Sequence, residues 1–210
     1  MNFILMEECG IDEAGRGPLI GPMVMAIVCG DGDDLKHIGV ADSKKLSPRQ
    51  REFIYSELTG FIQNHTIIGT DEIDTYVKDK KLNIMEEIYA IKLISSLPEN
   101  ARVYIDSFDV NEERLEAKLR ERTGKEVICR HHADATYPQV SAASIVAKVI
   151  RDREIEKLHR EYGDFGSGYP SDPRTVNFVE NAIKNHINID NIVRHEWKTY
   201  KNMLNTKLRY

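Results

Sequence analysis

The apolar residues of this chain follow two rhythms. As far as Gly69 they form short runs closed by turn-forming residues, and these runs predict strands near Cys9–Asp12, Met23–Cys29 and Thr66–Gly69. One helix interrupts them, starting after Ser47-Pro48, a capping residue followed by the residue best tolerated in a first helical turn. Beyond Gly69, helices and strands alternate. Ile84, Ile88 and Ile91 recur at helical spacing, Val103–Asp106 reads as a short strand, Leu115 and Leu119 mark a charged surface helix ending at Gly124, and Glu126–Arg130 reads as another strand. A long helix follows Tyr137-Pro138 and runs to about Tyr162. Its first turns, Ser141-Ala142-Ala143-Ser144, are small enough to lie close against a sheet. After a turn-rich stretch from Gly163 to Pro173, short helices are predicted around Thr175–Asn185 and His195–Leu204.

A meander followed by βαβ units places the chain in the α/β class, with a mixed sheet of about five strands and helices on its faces. Ligand sites in such sheets form at the carboxyl ends of strands. Asp12 is expected to end the first strand, Asp106 ends a later one, and Asp134 falls just past the next. That convergence is the main functional signal of the pattern.

Length supports the same picture, because 210 residues suffice for one full α/β domain with a small appendage and not for two equal domains. The three cysteines, Cys9, Cys29 and Cys129, lack metal-type spacing and lie in apolar contexts. They are expected to be small buried hydrophobes in a reducing cytoplasm. The N-terminal run Met1-Asn2-Phe3-Ile4-Leu5-Met6 is short and lacks the basic start of a signal peptide, and no apolar run reaches membrane-spanning length. A soluble, cytoplasmic protein with no membrane partner is the expectation. The formal charge of −5 argues against a nucleic-acid partner only if it is spread evenly. It is not: from Lys36 to Arg51 the cations Lys36, Lys44, Lys45, Arg49 and Arg51 face only Asp42, and from Arg194 to Tyr210 the basic residues face only Glu196.

The stretch Asp12-Glu13-Ala14-Gly15-Arg16-Gly17-Pro18 places two carboxylates where a strand runs into a glycine-rich turn. Neighbours on a regular strand point to opposite faces, so Asp12 and Glu13 can share a site only if the chain leaves the strand between them. Gly15 and Gly17 permit such a bend and let backbone N–H groups approach a ligand, while Arg16 offers a forked donor suited to phosphate. An exposed acidic turn is the plainer alternative. A dinucleotide loop is not, because the carboxylates would repel a pyrophosphate, Pro18 removes a donor and a strand rather than a helix follows. No Walker-type phosphate loop occurs either.

Asp12, Glu13, Asp106 and Asp134 together are the oxygen donors that Mg²⁺ or Mn²⁺ prefers. Two such ions roughly 3.5–4 Å apart can activate a water and stabilise the leaving oxygen of an in-line attack on a phosphodiester. Taken singly, Asp106 could turn the chain with Ser107 and Asp134 could cap the helix near Pro138. His131-His132 are adjacent on a strand and their rings diverge, which disfavours zinc. No serine or cysteine lies in a nucleophile elbow.

These residues resemble the motifs of the ribonuclease HII family in its archaeal form. The matching blocks run in family order over nearly the whole chain: Gly10 to Pro18 with Gly21-Pro22, Asp42-Ser43-Lys44-Lys45-Leu46-Ser47, Tyr104-Ile105-Asp106-Ser107, Ala133-Asp134-Ala135 with Tyr137-Pro138, Val140 to Lys148, Gly166 to Pro173, and Arg194 with Trp197-Lys198-Thr199. The resemblance implies an RNase H-like fold, with residues 1–173 as the catalytic domain and 174–210 as a helical extension packed on it. It also implies an endonuclease acting on RNA·DNA hybrids and on duplex DNA containing ribonucleotides, cutting on the 5′ side of the ribonucleotide and leaving 3′-hydroxyl and 5′-phosphate ends.

By the same resemblance Asp12, Glu13, Asp106 and Asp134 are the metal-binding carboxylates. Gly15, Arg16 and Gly17 would read the ribose 2′-OH, Tyr169 would stack on the next sugar, and Lys44, Lys45 and Lys148 would contact phosphate. Relatives often carry Glu-His-Lys where this chain has Arg130-His131-His132, which changes local charge. The tail from Asn205 through Leu208 to Tyr210 lacks the glutamine of a sliding-clamp-binding peptide and is one residue short of it, so an ordinary basic tail on a monomer is expected, with a sliding clamp as the less supported alternative partner. The competing readings are a ribonuclease HI or HIII type, opposed by Gly15-Arg16-Gly17 and Tyr169; a silent hybrid-binding protein, opposed by the intact carboxylates; and a calcium domain, opposed by the lack of a compact acidic loop.

Overall fold

The computed structural model describes residues 6–40 and 46–207. Strands β1 (Glu8–Ala14), β2 (Met23–Cys29), β3 (Ile62–Ile68), β4 (Arg102–Asp106) and β5 (Glu126–Arg130) form one sheet in the order β3-β2-β1-β4-β5. β1 pairs antiparallel with β2 and parallel with β4, and β4 is parallel to β5. The expected mixed sheet is present, with β1 at its centre.

The helices are α1 (Gly32–His37), α2 (Pro48–Glu57), α3 (Thr70–Lys78), α4 (Leu82–Ser95), α5 (Glu112–Thr123), α6 (Pro138–Tyr162), α7 (Pro173–Asn185) and α8 (Lys198–Lys207). Ser47 and Gln50 close a capping box on α2 with Pro48 as first helical residue, and Gly124 ends α5 in the left-handed conformation. Two short helices stand outside the expected set: α1, which buries only Leu35, and α3, nine residues long, which buries Thr70 and Ile73. β3 starts earlier than expected, because the polar Gln63, Asn64 and His65 occupy a sheet edge where little is buried.

Two expectations are corrected. Ile84, Ile88 and Ile91 do mark α4, but Ile84 and Ile88 are exposed, and the face buried is that of Met85, Ala90, Leu93 and Ile94. Cys9 and Cys29 are buried as expected but not as thiols. They stand opposite each other in the β1–β2 register and are joined in a disulfide. The argument for a reducing compartment from three free cysteines therefore falls. Cys129 remains a free thiol, and burial pushes its pKa up to about 12.

The chain divides into two compact units. The first comprises Met1–Ala14, Val24–Thr66 and Asn83–Val149, and its core joins Ile11, Met25 and Ile27 to Leu93, Val103, Leu115 and Val127. The second comprises Gly15–Met23, Ile67–Leu82 and Ile150–Tyr210, with Leu19, Ile20, Phe165, Val179 and Val193 at its centre. Among the described residues no helix is long and apolar enough to cross a membrane.

Candidate active site

In the first unit the register of the parallel strands builds the site. Ile11 pairs with Ile105, so Asp12 and Asp106 stand at corresponding positions one step further, at the carboxyl end of β4. Asp106 Oδ1 accepts the Ala133 N–H at 3.0 Å, which ties the end of β4 to the 3₁₀ turn Ala133–Ala135 that carries the buried Asp134. The expected bend between Asp12 and Glu13 is corrected. Both lie inside β1, opposite Ala26 and Met25, and the strand runs on to Ala14. Alternation along a strand therefore separates the two side chains, and Asp12 is the one held near Asp106 and Lys148.

Gly10 explains how α6 reaches this point. A Cβ there would lie 2.2 Å from the backbone of Gln139 and Val140, so only glycine lets the first turn of α6 rest directly on β1. The contact delivers Ser144, wholly buried, to Asp12 as a hydrogen-bond donor. Lys148, one turn on, donates to Ser144 Oγ at 2.8 Å.

Asp12 is 6% exposed, and its pKa is raised to about 7 by burial and by the neighbouring charge of Asp106, against the opposing pull of Lys148 and Ser144. Two acidic groups are thus held together where a cation would relieve both. Among the described residues no three His, Cys, Asp or Glu side chains are gathered as a preformed cage. Aspartates in this arrangement suit Mg²⁺, which keeps several waters and is held through one or two carboxylates together with substrate phosphate oxygens.

The second unit holds the glycine-rich loop. Gly15 is left-handed at φ 84°, and Gly17 is not. The loop is anchored by Arg194, which is fully buried and donates to the carbonyls of Gly15 at 2.6 Å, Arg16 at 3.0 Å and Gly21 at 2.9 Å and 3.0 Å. Its guanidinium also lies 4.9 Å from the Trp197 ring centroid, and Trp197 Nε1 donates to the Gly17 carbonyl. Burial and the nearby Arg151 lower the pKa of Arg194. Tyr169 is partly exposed beside the loop, with Cε1 3.9 Å from where a Gly17 Cβ would be, and Arg151 lies under its ring.

Asp12, Asp106 and Lys148 are therefore brought together, with Asp134 tied to Asp106 through Ala133, and Gly15, Arg16, Gly17 and Tyr169 form a second group. Lys44, Lys45, Leu208 and Tyr210 lie outside the described residues. Sequence reasoning did not assign site roles to Ser144, Arg151 and Arg194. The signal available was helical spacing, since Ser144, Lys148 and Arg151 fall on one stripe of α6.

A five-stranded mixed sheet flanked by helices, with Asp12 of the central strand β1 beside Asp106 at the end of β4, defines a ribonuclease H-like protein. The family model for ribonuclease HII matches residues 9–200, and the chain belongs to that family. It is similar to the ribonuclease HII of Picrophilus torridus, at 61% identity over 196 residues, covering 93% of this chain and 96% of the relative. Among solved structures it is similar to the ribonuclease H2 from Pyrococcus horikoshii OT3, with a TM-score of 0.89 and 40% identity over 98% of this chain and 100% of that one. It is also similar to the ribonuclease HII of the PCNA complex from Archaeoglobus fulgidus, with a TM-score of 0.86 and 43% identity over 93% and 96%.

Proposed function

We propose that this chain is an endonuclease that hydrolyses the RNA strand of RNA·DNA hybrids and nicks duplex DNA on the 5′ side of a lone ribonucleotide, leaving 3′-hydroxyl and 5′-phosphate ends. The observation that carries this reading is the parallel register that sets Asp12 beside Asp106, together with membership of the ribonuclease HII family. Asp12, Asp106 and Asp134 would hold Mg²⁺ or Mn²⁺, two ions during the reaction, and Glu13, one residue from the end of β1 and longer than an aspartate, would join them only by reaching round the strand. When bound, such ions supply water activation and stabilise the leaving oxygen.

The remaining work falls to the chain itself. Ser144 orients the Asp12 carboxylate by donating to it, and Lys148 places a positive charge beside the pair, suited to a substrate phosphate. Arg194 takes up the carbonyls of Gly15, Arg16 and Gly21, which holds the loop in one shape against a ribose 2′-OH. Tyr169 offers an exposed ring face on which the following deoxyribose stacks. Lys44 and Lys45 contact the phosphate backbone.

Incubating the protein with an end-labelled hybrid duplex, with and without Mg²⁺ or Mn²⁺, tests the reading, with Asp134→Asn as control. Metal-dependent shortening of the RNA strand that Asp134→Asn abolishes supports it. Retention of the hybrid without cutting under both metals makes the protein a binder instead.

A further inference from the structure

Arg151 is only 5% exposed, and no step described so far uses it. It lies on α6 beyond Lys148, within the second unit, and touches both Gly15 and Tyr169 there. A Cβ on Gly15 would stand 2.4 Å from its Nε and 2.5 Å from its Cδ, so the loop is packed against this side chain, while the φ of Gly15 and the Pro22 carbonyl, 2.7 Å from that Cβ, are what require glycine there. Its guanidinium carbon is 5.1 Å from the centroid of the Tyr169 ring. Nη2 reaches the Ser167 carbonyl at 3.5 Å and lies 3.5 Å from where a Gly168 Cβ would be.

The way it is held matters. Nε is buried with no hydrogen-bond partner, and the contact to Ser167 is at the limit of a hydrogen bond. Burial lowers the pKa of Arg151, while Tyr169 and Asp152 oppose that shift. A buried guanidinium is costly unless it is paired, so retaining one against an aromatic face and a glycine backbone signals a positional role. The planar group fixes the distance from the Gly15 backbone on one side to the Tyr169 ring on the other.

We propose that Arg151 is a positioning residue that couples the Gly15 loop to the Tyr169 ring, so that reading the ribose and stacking on the next sugar are set by one side chain. This rests on the roles of the loop and of Tyr169 given above. Its consequence is that Arg151 and Tyr169 act as a unit at a ribonucleotide–deoxyribonucleotide junction and matter much less within continuous RNA, where that junction is absent.

A double-mutant cycle tests this. Values of kcat/KM are measured for wild type, Arg151→Met, Arg151→Lys, Tyr169→Ala and the double variant Arg151→Met with Tyr169→Ala, on duplex DNA with one ribonucleotide and on a continuous hybrid. Arg151→Met is expected to lose about 30-fold more on the single-ribonucleotide duplex than on the hybrid, the factor that a desolvated cation–π contact carries. In the Tyr169→Ala background the same substitution should cost less than about twofold, within ordinary additivity error. Arg151→Lys, which keeps the charge without the planar face, should show a smaller loss with the same selectivity, and it carries the test if Arg151→Met does not fold. Equal losses on both substrates, or losses that multiply in the double variant, overturn the coupling. If Tyr169→Ala itself fails to separate the substrates, the role given to the ring falls, and the coupling with it. A selective Tyr169→Ala beside a multiplicative Arg151 loss overturns the coupling alone.

Discussion

Arg194 Nη2 donates to the carbonyl oxygen of Gly15 at 2.6 Å, across 179 positions of sequence. The same guanidinium also takes up the carbonyls of Arg16 and Gly21, so one buried side chain satisfies both ends of the glycine-rich loop. Removing it strands several buried acceptors at once. Arg194→Met should cost at least about 3 kcal/mol of unfolding free energy, since each lost bond from a charged donor carries a large share of that. Arg194→Lys should recover only part, because an ammonium cannot span the carbonyls as a fork does. Urea unfolding of both variants beside wild type checks this, and a loss under about 1 kcal/mol for Arg194→Met would show that water replaces the guanidinium without cost.

The pairing of Asp12 with Asp106 makes a prediction about metal removal. With chelator present, burial and like charge both disfavour an ionised Asp12, so Asp12→Asn should raise the thermal midpoint at pH 8 while lowering cleavage by about a hundredfold or more. Mg²⁺ should raise the midpoint of wild type more than that of the variant. A chelated variant that melts below wild type would mean that the Asp12 carboxylate contributes more through its hydrogen bonds than it loses by repulsion.

Gly10 lies where α6 meets β1, and the 2.2 Å approach leaves no room for a methyl group. Gly10→Ala should destabilise by about 1–3 kcal/mol and, by moving Ser144 and Lys148 from Asp12, reduce activity in the molecules that remain folded. Thermal unfolding and kcat at a temperature well below the transition separate the two effects. Unchanged stability would show that α6 shifts freely on the strand.

Asp172 provides a pH dependence. The Ser167 N–H, then the Arg174 side chain and backbone, hold its carboxyl well below the usual carboxylate range. The proton is therefore bound more tightly in the unfolded chain, and the stabilisation is present above the ordinary carboxylate pKa and lost as pH falls through the folded value. Asp172→Ala should lower the thermal midpoint at pH 7, and its gap to wild type should narrow as pH drops below about 4. A gap that stays constant on acidification would assign the effect to packing around Gly166 rather than to charge.

The strand ends and the sheet were legible because Ile11, Val103, Ile105 and Val127 stand in short apolar runs that end in turns. Those runs point to where Asp106 and Asp134 must fall, whereas the break expected after Asp12 and the start of the polar edge strand β3 were misplaced. Arg194 was not legible as an anchor, since its partners are backbone carbonyls, which leave no mark in a sequence, and it looked like part of a basic tail. Ser144 was visible only as a small residue of α6, although helical spacing already put it on the stripe of Lys148 and Arg151. The Cys9–Cys29 disulfide depended on the register of two antiparallel strands, which no spacing rule supplies. On α4, Ile84 and Ile88 gave the correct period and the wrong face, because apolar residues occupy more of that helix than its neighbours cover.

The most direct test of the account is the cut made in a DNA duplex that carries one ribonucleotide, because it requires the carboxylates and the ribose-reading loop together. Wild type with Mg²⁺ or Mn²⁺ should nick the ribonucleotide-containing strand once, on the 5′ side of that nucleotide, giving a 3′-hydroxyl and a 5′-phosphate, and should leave the all-DNA duplex intact. Product length and end chemistry on a sequencing gel show this directly. A protein that cuts continuous RNA·DNA hybrid but leaves the single-ribonucleotide duplex whole, or that cuts both duplexes alike, would contradict the assignment of ribose recognition to Gly15, Arg16, Gly17 and Tyr169.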